Sequence, residues 1–238
     1  MKKPQLFLLH FAGGNCHSFQ FLLPYLNDFS VIPLELPGRG KRVNEDLLTD
    51  FDTAAQDILK QLISKLSGGD FLIYGHSMGA KLTLRVANLL ENAGIQPAYL
   101  IVSGNAGPGI SEGKTTYLLD NEGFMAALAK LGGVPAEVME DKELMEFFEP
   151  ILRTDFKIAE NNNMKDETPV NTPLFAMMGT EEEHVNEIRN WKKFTTSTFE
   201  HQVLEGNHFF IHQHSAQIAK ILKQCYAKYL LQKRKQLI

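Results

Sequence analysis

Gly75-His76-Ser77-Met78-Gly79 places a serine hydroxyl between two glycines, each two residues away. The four apolar residues before this stretch, Phe71-Leu72-Ile73-Tyr74, read as a buried strand. After it, from Ala80 to Glu91, Leu82, Val86, Leu89 and Leu90 recur at helical spacing, and Gly94 supplies a C-terminal stop. A sharp strand-to-helix turn brings the two backbones together, so it requires small residues on either side of its apex. Such a turn lifts the serine hydroxyl out at the C-terminal edge of a parallel sheet. Gly-x-Ser-x-Gly alone is a weak signal. Its place between a strand and a helix makes Ser77 the candidate nucleophile.

A serine hydroxyl attacks a carbonyl only with help. A base must take its proton, a third group must orient that base, and amides must receive the oxyanion. When the serine sits on such a turn, the chain order is Ser, then Asp or Glu, then His. The base is therefore expected late. A strand-like run from Thr198 to Leu204 leads into Glu205-Gly206-Asn207, and that turn presents His208. His212 and His214 fall in the helix-like segment that follows and read as surface or capping groups.

The acid is expected on the loop after Pro173-Leu174-Phe175-Ala176-Met177-Met178, a strand ending at Gly179. That loop offers Glu181, Glu182 and Glu183 and no aspartate. Any of the three could orient His208, and otherwise each is a solvated loop charge. The other strand edge, after Tyr99-Leu100-Ile101-Val102-Ser103-Gly104, holds Asn105, which cannot carry the charge that stabilises an imidazolium. Asp155 and Asp166 are next in line should no loop glutamate serve. The oxyanion is expected to meet the Met78 amide and one from His10-Phe11-Ala12-Gly13-Gly14-Asn15, where paired glycines allow close backbone approach.

The elements that position these groups alternate. Strands are expected near residues 5–10, 30–35, 70–75, 98–103, 173–178 and 198–204, with helical segments between. This implies an α/β fold, a mostly parallel sheet with helices on both faces. The stretch from about 111 to 168 is too long for one crossover. Phe124, Leu128 and Leu131, then Leu144, Phe147, Phe148 and Ile151, recur there at helical spacing. They read either as ordinary amphipathic helices or as an inserted lid bordering a pocket, with Asn161-Asn162-Asn163 and Thr168-Pro169 as its polar exit.

Taken together, these segments resemble the type II thioesterases of nonribosomal peptide and polyketide synthesis, a branch of the α/β-hydrolase superfamily. His10-Phe11-Ala12-Gly13-Gly14 is similar to the family's opening loop, and Leu36-Pro37-Gly38-Arg39-Gly40-Lys41-Arg42 to its Leu-Pro-Gly-Arg-x-x-Arg block. Gly75 to Ala80 resembles its elbow. Leu131-Gly132-Gly133-Val134-Pro135 with Leu152-Arg153-Thr154-Asp155 resembles its lid, and Gly206-Asn207-His208-Phe209-Phe210 its closing motif. The resemblance implies an α/β-hydrolase fold with an inserted helical lid. It also implies the triad Ser77, Glu182 and His208, with Glu182 where the family normally carries aspartate. Ala12 and Met78 become the oxyanion donors, and Phe11, Met145 and Phe148 the candidate substrate-lining residues.

Composition fits one enzyme domain over residues 1–238: the 238 residues are 44% hydrophobic and 22% charged. No apolar run approaches the roughly 20 residues of a membrane helix. Met1-Lys2-Lys3 and the apolar residues behind it mimic a signal peptide, but cleavage would remove the first strand. Cys16 and Cys225 lie far apart with no metal-like cluster, so free thiols in the cytoplasm, no metal and no cofactor are expected. The net charge is −4, yet after Glu205 only cations occur, among them Lys220, Lys223, Lys228, Lys233, Arg234 and Lys235. They read as a solvated helix face complementing its own dipole, or as a docking face for an acidic partner. Nucleic-acid binding is excluded by the overall acidity and the lack of interleaved aromatic and basic residues.

The reading is a monomeric cytoplasmic hydrolase of acyl thioesters. Its expected partner is an acyl or peptidyl carrier protein bearing a phosphopantetheine thioester. A carboxylesterase, an acyltransferase and a catalytically silent binding protein of the same fold remain as rivals.

Overall fold

The computed structural model describes residues 2–110, 113–134, 136–162 and 164–235. Met1 of the signal-like start, and Ser111, Pro135 and Asn163 of the expected insertion, lie outside the described residues. Six strands form one sheet: β1 (Gln5–Leu9), β2 (Ser30–Leu34), β3 (Phe71–His76), β4 (Tyr99–Ser103), β5 (Leu174–Gly179) and β6 (Phe199–Leu204). Each falls where the sequence places it. Their order is β2-β1-β3-β4-β5-β6, and every neighbouring pair is parallel.

Parallel pairing needs a crossover after each strand, and the crossover helices cover both sheet faces. The four inner strands are accordingly buried at every residue, which is why they read as unbroken apolar runs. The edge strands β2 and β6 are only partly buried. Pro33 is tolerated in β2 because an edge strand leaves one side of its backbone unpaired.

Alternate residues of each strand feed two cores. Phe7, Leu9, Ile73, Leu100, Val102, Ala176 and Met178 pack against α1 (Phe51–Lys65) and α2 (Met78–Asn92). Leu6, Leu8, Leu72, Tyr74, Ile101 and Met177 face α6 (Ser215–Lys235), which contributes Ile218, Ile221, Leu222 and Cys225. Among the described residues no helix is long and apolar enough to cross a membrane.

Among the described residues, the chain between β4 and β5 makes three α-helices, α3 (Asn121–Leu131), α4 (Ala136–Glu140) and α5 (Lys142–Glu160). Asp120 caps α3 through the Gly123 amide, and Asp141 caps α5 through the Glu143 and Leu144 amides. Phe124, Leu128, Met145 and Leu152 form a small separate core, with Phe148 and Phe156 packed against it. The buried face of α5 departs from the expected one. Leu144 and Phe147 are exposed, whereas Met145, Ile151, Leu152, Asp155 and Ile158 are buried. The helix is turned so that Asp155 points inward to a buried arginine, on the face that also buries Met145, Leu152 and Ile158.

Candidate active site

Ser77 sits between the end of β3 and the start of α2 with φ 57° and ψ −114°. It is the one non-glycine residue with positive φ among those described. Such a conformation costs about 1–3 kcal/mol and persists only where the surroundings enforce it. They do so here. The Ser77 amide donates to the Ser103 carbonyl at 2.7 Å, clamping the turn to β4. A β-carbon at Gly75 would collide with the Gly79 carbonyl, and one at Gly79 with the Leu9 and His10 carbonyls at the end of β1. The two glycines are thus required by contacts with backbone that cannot move aside.

Parallel strands point all their C-terminal ends to one edge of the sheet, and the loops there converge. His208 lies four residues past the end of β6, on a turn where Gly206 takes φ 118°. Asn207 tightens that turn by accepting the Phe209 amide through Oδ1 and the Phe210 amide through its carbonyl. Glu182 lies three residues past the end of β5. Its amide donates to the Gly179 carbonyl at 3.2 Å, and its Oε1 accepts the Gly179 amide at 2.8 Å. Its other oxygen lies 2.9 Å from His208 Nδ1, and His208 Nε2 lies 2.9 Å from Ser77 Oγ.

An ionised carboxylate only accepts, so Nδ1 carries the proton and Nε2 is left to accept from the Ser77 hydroxyl. The His208 and Glu182 side chains are 13% and 8% exposed, which shields their interaction from solvent while leaving the serine reachable. The neighbouring glutamates point elsewhere. Glu181 is exposed, and Glu183 pairs with Lys114 at 2.9 Å, which holds its carboxyl below the usual range. Asp166 is exposed, and Asp155 is engaged away from His208. Asn105 is a turn residue: its side chain accepts the Gly107 amide and its carbonyl accepts Trp191 Nε1.

The loop after β1 runs beside the elbow, since β1 and β3 are neighbours in the sheet. Neither the Ala12 nor the Met78 amide is taken up by an acceptor among the described residues. Met78 opens α2, where first-turn amides have no partner within the helix and the dipole favours negative charge. Gly13 takes φ 75°, and its amide donates to Asp155 Oδ2 at 2.7 Å. Asp155 also grips Arg39 through both terminal guanidinium nitrogens, in an ion pair whose side chains are 0% and 4% exposed. Leu152, one turn earlier on α5, packs directly on Gly13. The helices between β4 and β5 thereby reach the opening loop through one apolar and one charged contact. Sequence reasoning placed Leu152 and Asp155 in a motif block but did not foresee their meeting with Gly13 and Arg39.

His76, beneath the site, is fully buried. Its Nδ1 pairs with Ser103 Oγ at 2.8 Å, and its ring lies 5.0 Å from that of His208. Burial, followed by the nearby His208 and His212, pushes its pKa well below that of an ordinary histidine. The residue under the candidate base therefore stays neutral and does not compete for charge. Phe11 stands edge-on to His76 and to Phe209, walling this side of the site. Met145 and Phe148 belong to the small core of the insertion. His212 stacks on Phe209, and His214 Nε2 pairs with the Glu205 carbonyl.

On the C-terminal helix, Lys223 pairs with Asp28, Lys228 with Glu200 and Lys233 with Asp70. Those three cations are neutralised within the chain, which favours the solvated-face reading over a docking face. Among the described residues no group of three or more His, Cys, Asp or Glu is arranged to hold a metal ion.

The thioesterase-domain family profile matches residues 4–227. Linear gramicidin dehydrogenase LgrE of Brevibacillus parabrevis is 31% identical over 236 residues, covering 95% of this chain and 89% of that protein. Gramicidin S biosynthesis protein GrsT of Aneurinibacillus migulanus is 31% identical over 216 residues, covering 89% and 84%. Among solved structures, the type II thioesterase BorB from the borrelidin biosynthetic cluster superposes with a TM-score of 0.86 at 29% identity, covering 94% of this chain and 93% of that one. The chain belongs to the thioesterase-domain family and has an α/β-hydrolase fold, like the type II thioesterase BorB.

Proposed function

We propose that this chain hydrolyses acyl thioesters held on the phosphopantetheine arm of carrier proteins in a nonribosomal peptide or polyketide synthase, clearing acyl groups that block the assembly line. The observation that carries the chemistry is the hydrogen-bonded line from Ser77 Oγ through His208 to Glu182, built on a strained turn at the C-terminal sheet edge. The carrier-bound substrate is supported by relatives whose names tie them to gramicidin S biosynthesis and to the borrelidin biosynthetic cluster.

Ser77 Oγ attacks the thioester carbonyl carbon as its proton passes to His208 Nε2. The oxyanion that forms is received by the Ala12 and Met78 amides, and Glu182 stabilises the imidazolium. Collapse breaks the carbon–sulfur bond, and His208 protonates the departing thiolate. A water then attacks the acyl-enzyme, giving its proton to His208. The second collapse expels Ser77 Oγ, which takes that proton back, and releases the carboxylic acid. The serine's first proton leaves on the thiol and a proton from water replaces it, so the site is restored and the residues suffice without a cofactor.

The insertion between β4 and β5, spanning about residues 111–168, acts as the lid of this single domain, with Phe11 and the Met145–Phe148 side of α5 facing the acyl chain. Cys16 and Cys225, both free, suit a reducing cytoplasm.

A panel of acyl-carrier proteins, acyl-CoAs and nitrophenyl esters, run with wild type and Ser77→Ala, tests the reading. Carrier thioesters are expected to give the highest kcat/KM, with all hydrolysis lost in the variant. Preference for small oxyesters would instead make the chain a carboxylesterase, and full activity in Ser77→Ala would overturn the triad.

A further inference from the structure

The amide proposed to receive the oxyanion, Ala12 N–H, shares a rigid peptide plane with the Phe11 carbonyl. In a trans peptide the two groups point in opposite directions, so whatever grips the carbonyl aims the amide. Two donors grip it. The Gly14 amide lies 2.9 Å away and closes a tight turn, and His10 Nδ1 lies 2.8 Å away.

His10 is itself fixed. Its Nε2 accepts the Leu36 amide at 3.3 Å, from the segment just past β2. An amide can only donate, so Nε2 is unprotonated and the ring proton sits on Nδ1, where it donates to Phe11. The ring is 3% exposed, and burial followed by the Arg39 charge pushes its pKa down, keeping it neutral in this one tautomer. Carrying two hydrogen bonds, the Phe11 carbonyl is polarised, which strengthens the N–H on the far side of the same plane as a donor.

We propose that His10 is a positioning residue of the oxyanion hole: it relays the backbone after β2 onto the Phe11–Ala12 peptide and so aims the Ala12 amide at the reacting carbonyl. The proposal rests on the triad reading above, and its test keeps the two apart. Asparagine places an amide nitrogen where His carries Nδ1, whereas glutamine reaches the Nε2 position instead.

His10→Gln and His10→Ala are expected to lose about ten- to hundredfold in kcat with KM little changed, a fraction of the 10²–10³ that follows deletion of a whole oxyanion donor. His10→Asn should restore most of that loss. Inhibition by a trifluoromethyl ketone acyl analogue, whose tetrahedral adduct carries an oxyanion, should weaken in the same order and by similar factors. In wild type, ¹⁵N spectra of the imidazole at neutral pH should show a proton on Nδ1 of His10.

Equal impairment of the Asn and Gln variants, or wild-type kcat and inhibitor affinity in His10→Gln, would overturn the proposal. So would a proton found on Nε2, a readout that holds even if a variant fails to fold. Full hydrolysis by Ser77→Ala, measured alongside, would strike the triad reading rather than His10.

Discussion

Replacing Asp155 by alanine is expected to damage stability and turnover through separable routes. Arg39 is 4% exposed, so the variant leaves a buried guanidinium with no carboxylate partner. Breaking a buried pair from one side costs about 3–5 kcal/mol. The Gly13 amide also loses its acceptor, on the order of 1 kcal/mol more. For a chain of 238 residues each kcal/mol lowers Tm by about 2–4 °C, so the ion-pair loss alone predicts a fall of about 6–20 °C.

The double variant Arg39→Met with Asp155→Leu removes both charges and should recover most of that stability, as apolar replacements of buried pairs do. It should not recover kcat, because Gly13 still lacks the acceptor that holds the loop beside Ala12. Thermal and urea unfolding give the first quantity, and acyl-CoA hydrolysis at 20 °C gives the second. A Tm within about 2 °C of wild type in Asp155→Ala would show that water reaches Arg39 and that the pair is not sealed. Full kcat in the double variant would refute the link between α5 and the opening loop.

Glu182→Gln keeps the shape of the acid but not its charge, and the corresponding loss in a serine protease is about 10⁴ in kcat, so a fall of at least about 10² is expected. Glu181→Gln and Glu183→Gln should stay within a few-fold, and activity assays on the three decide the register. Gly79→Ala should abolish soluble folded protein or all hydrolysis, since its β-carbon meets the Leu9 and His10 carbonyls; circular dichroism and the same assay read it. At Asp70, burial pushes the carboxyl pKa up, but Lys233, Tyr226 and Tyr229 outweigh it and the net shift is downward. Its stabilising effect is therefore full above the ordinary Asp pKa of about 3.9 and lost as pH falls through the lower folded value. Urea midpoints of wild type and Asp70→Asn should differ at pH 7 and converge in that acidic window.

The parts of the fold readable from sequence are those where local pattern and tertiary role coincide. Inner strands buried on both faces must be apolar throughout, and Phe71-Leu72-Ile73-Tyr74 announces β3 for that reason. The elbow is legible because Gly75 and Gly79 answer backbone collisions that no side chain avoids. The sequence leaves Glu181, Glu182 and Glu183 open as the acid. Glu182 is the glutamate whose carboxylate folds back onto the Gly179 amide, and that hydrogen bond holds a side chain one methylene longer than aspartate at 2.9 Å from His208. The buried face of α5 was not legible. Leu144 and Met145 are equally apolar, and what distinguishes them is tertiary: Met145 packs with Phe124, Leu128 and Leu152 on the face that also buries Asp155.

Arg39 and Asp155 lie 116 positions apart, and read singly each is a solvated charge. The same holds for Glu35, whose carboxylate accepts the Cys16 and Lys41 amides and so ties the loop after β1 to the loop after β2. Arg42, the second arginine of its motif block, grips Asp57 and Glu45 and the Glu35 carbonyl. All of these polar groups gather at the C-terminal edge of the sheet, where backbone must be held in loops rather than in ladders. A loop amide aimed at a reacting carbonyl cannot be fixed by regular secondary structure, since the ladder or helix would consume it. It has to be fixed through its neighbours, by side chains able to take up the carbonyls and amides on either side. Burying such groups costs stability unless each is paired, and the pairs here span strands, loops and the insertion. The arginines of Leu-Pro-Gly-Arg-x-x-Arg are thus explained by architecture: they hold the loops that leave the Ala12 amide free, and they need not touch a substrate.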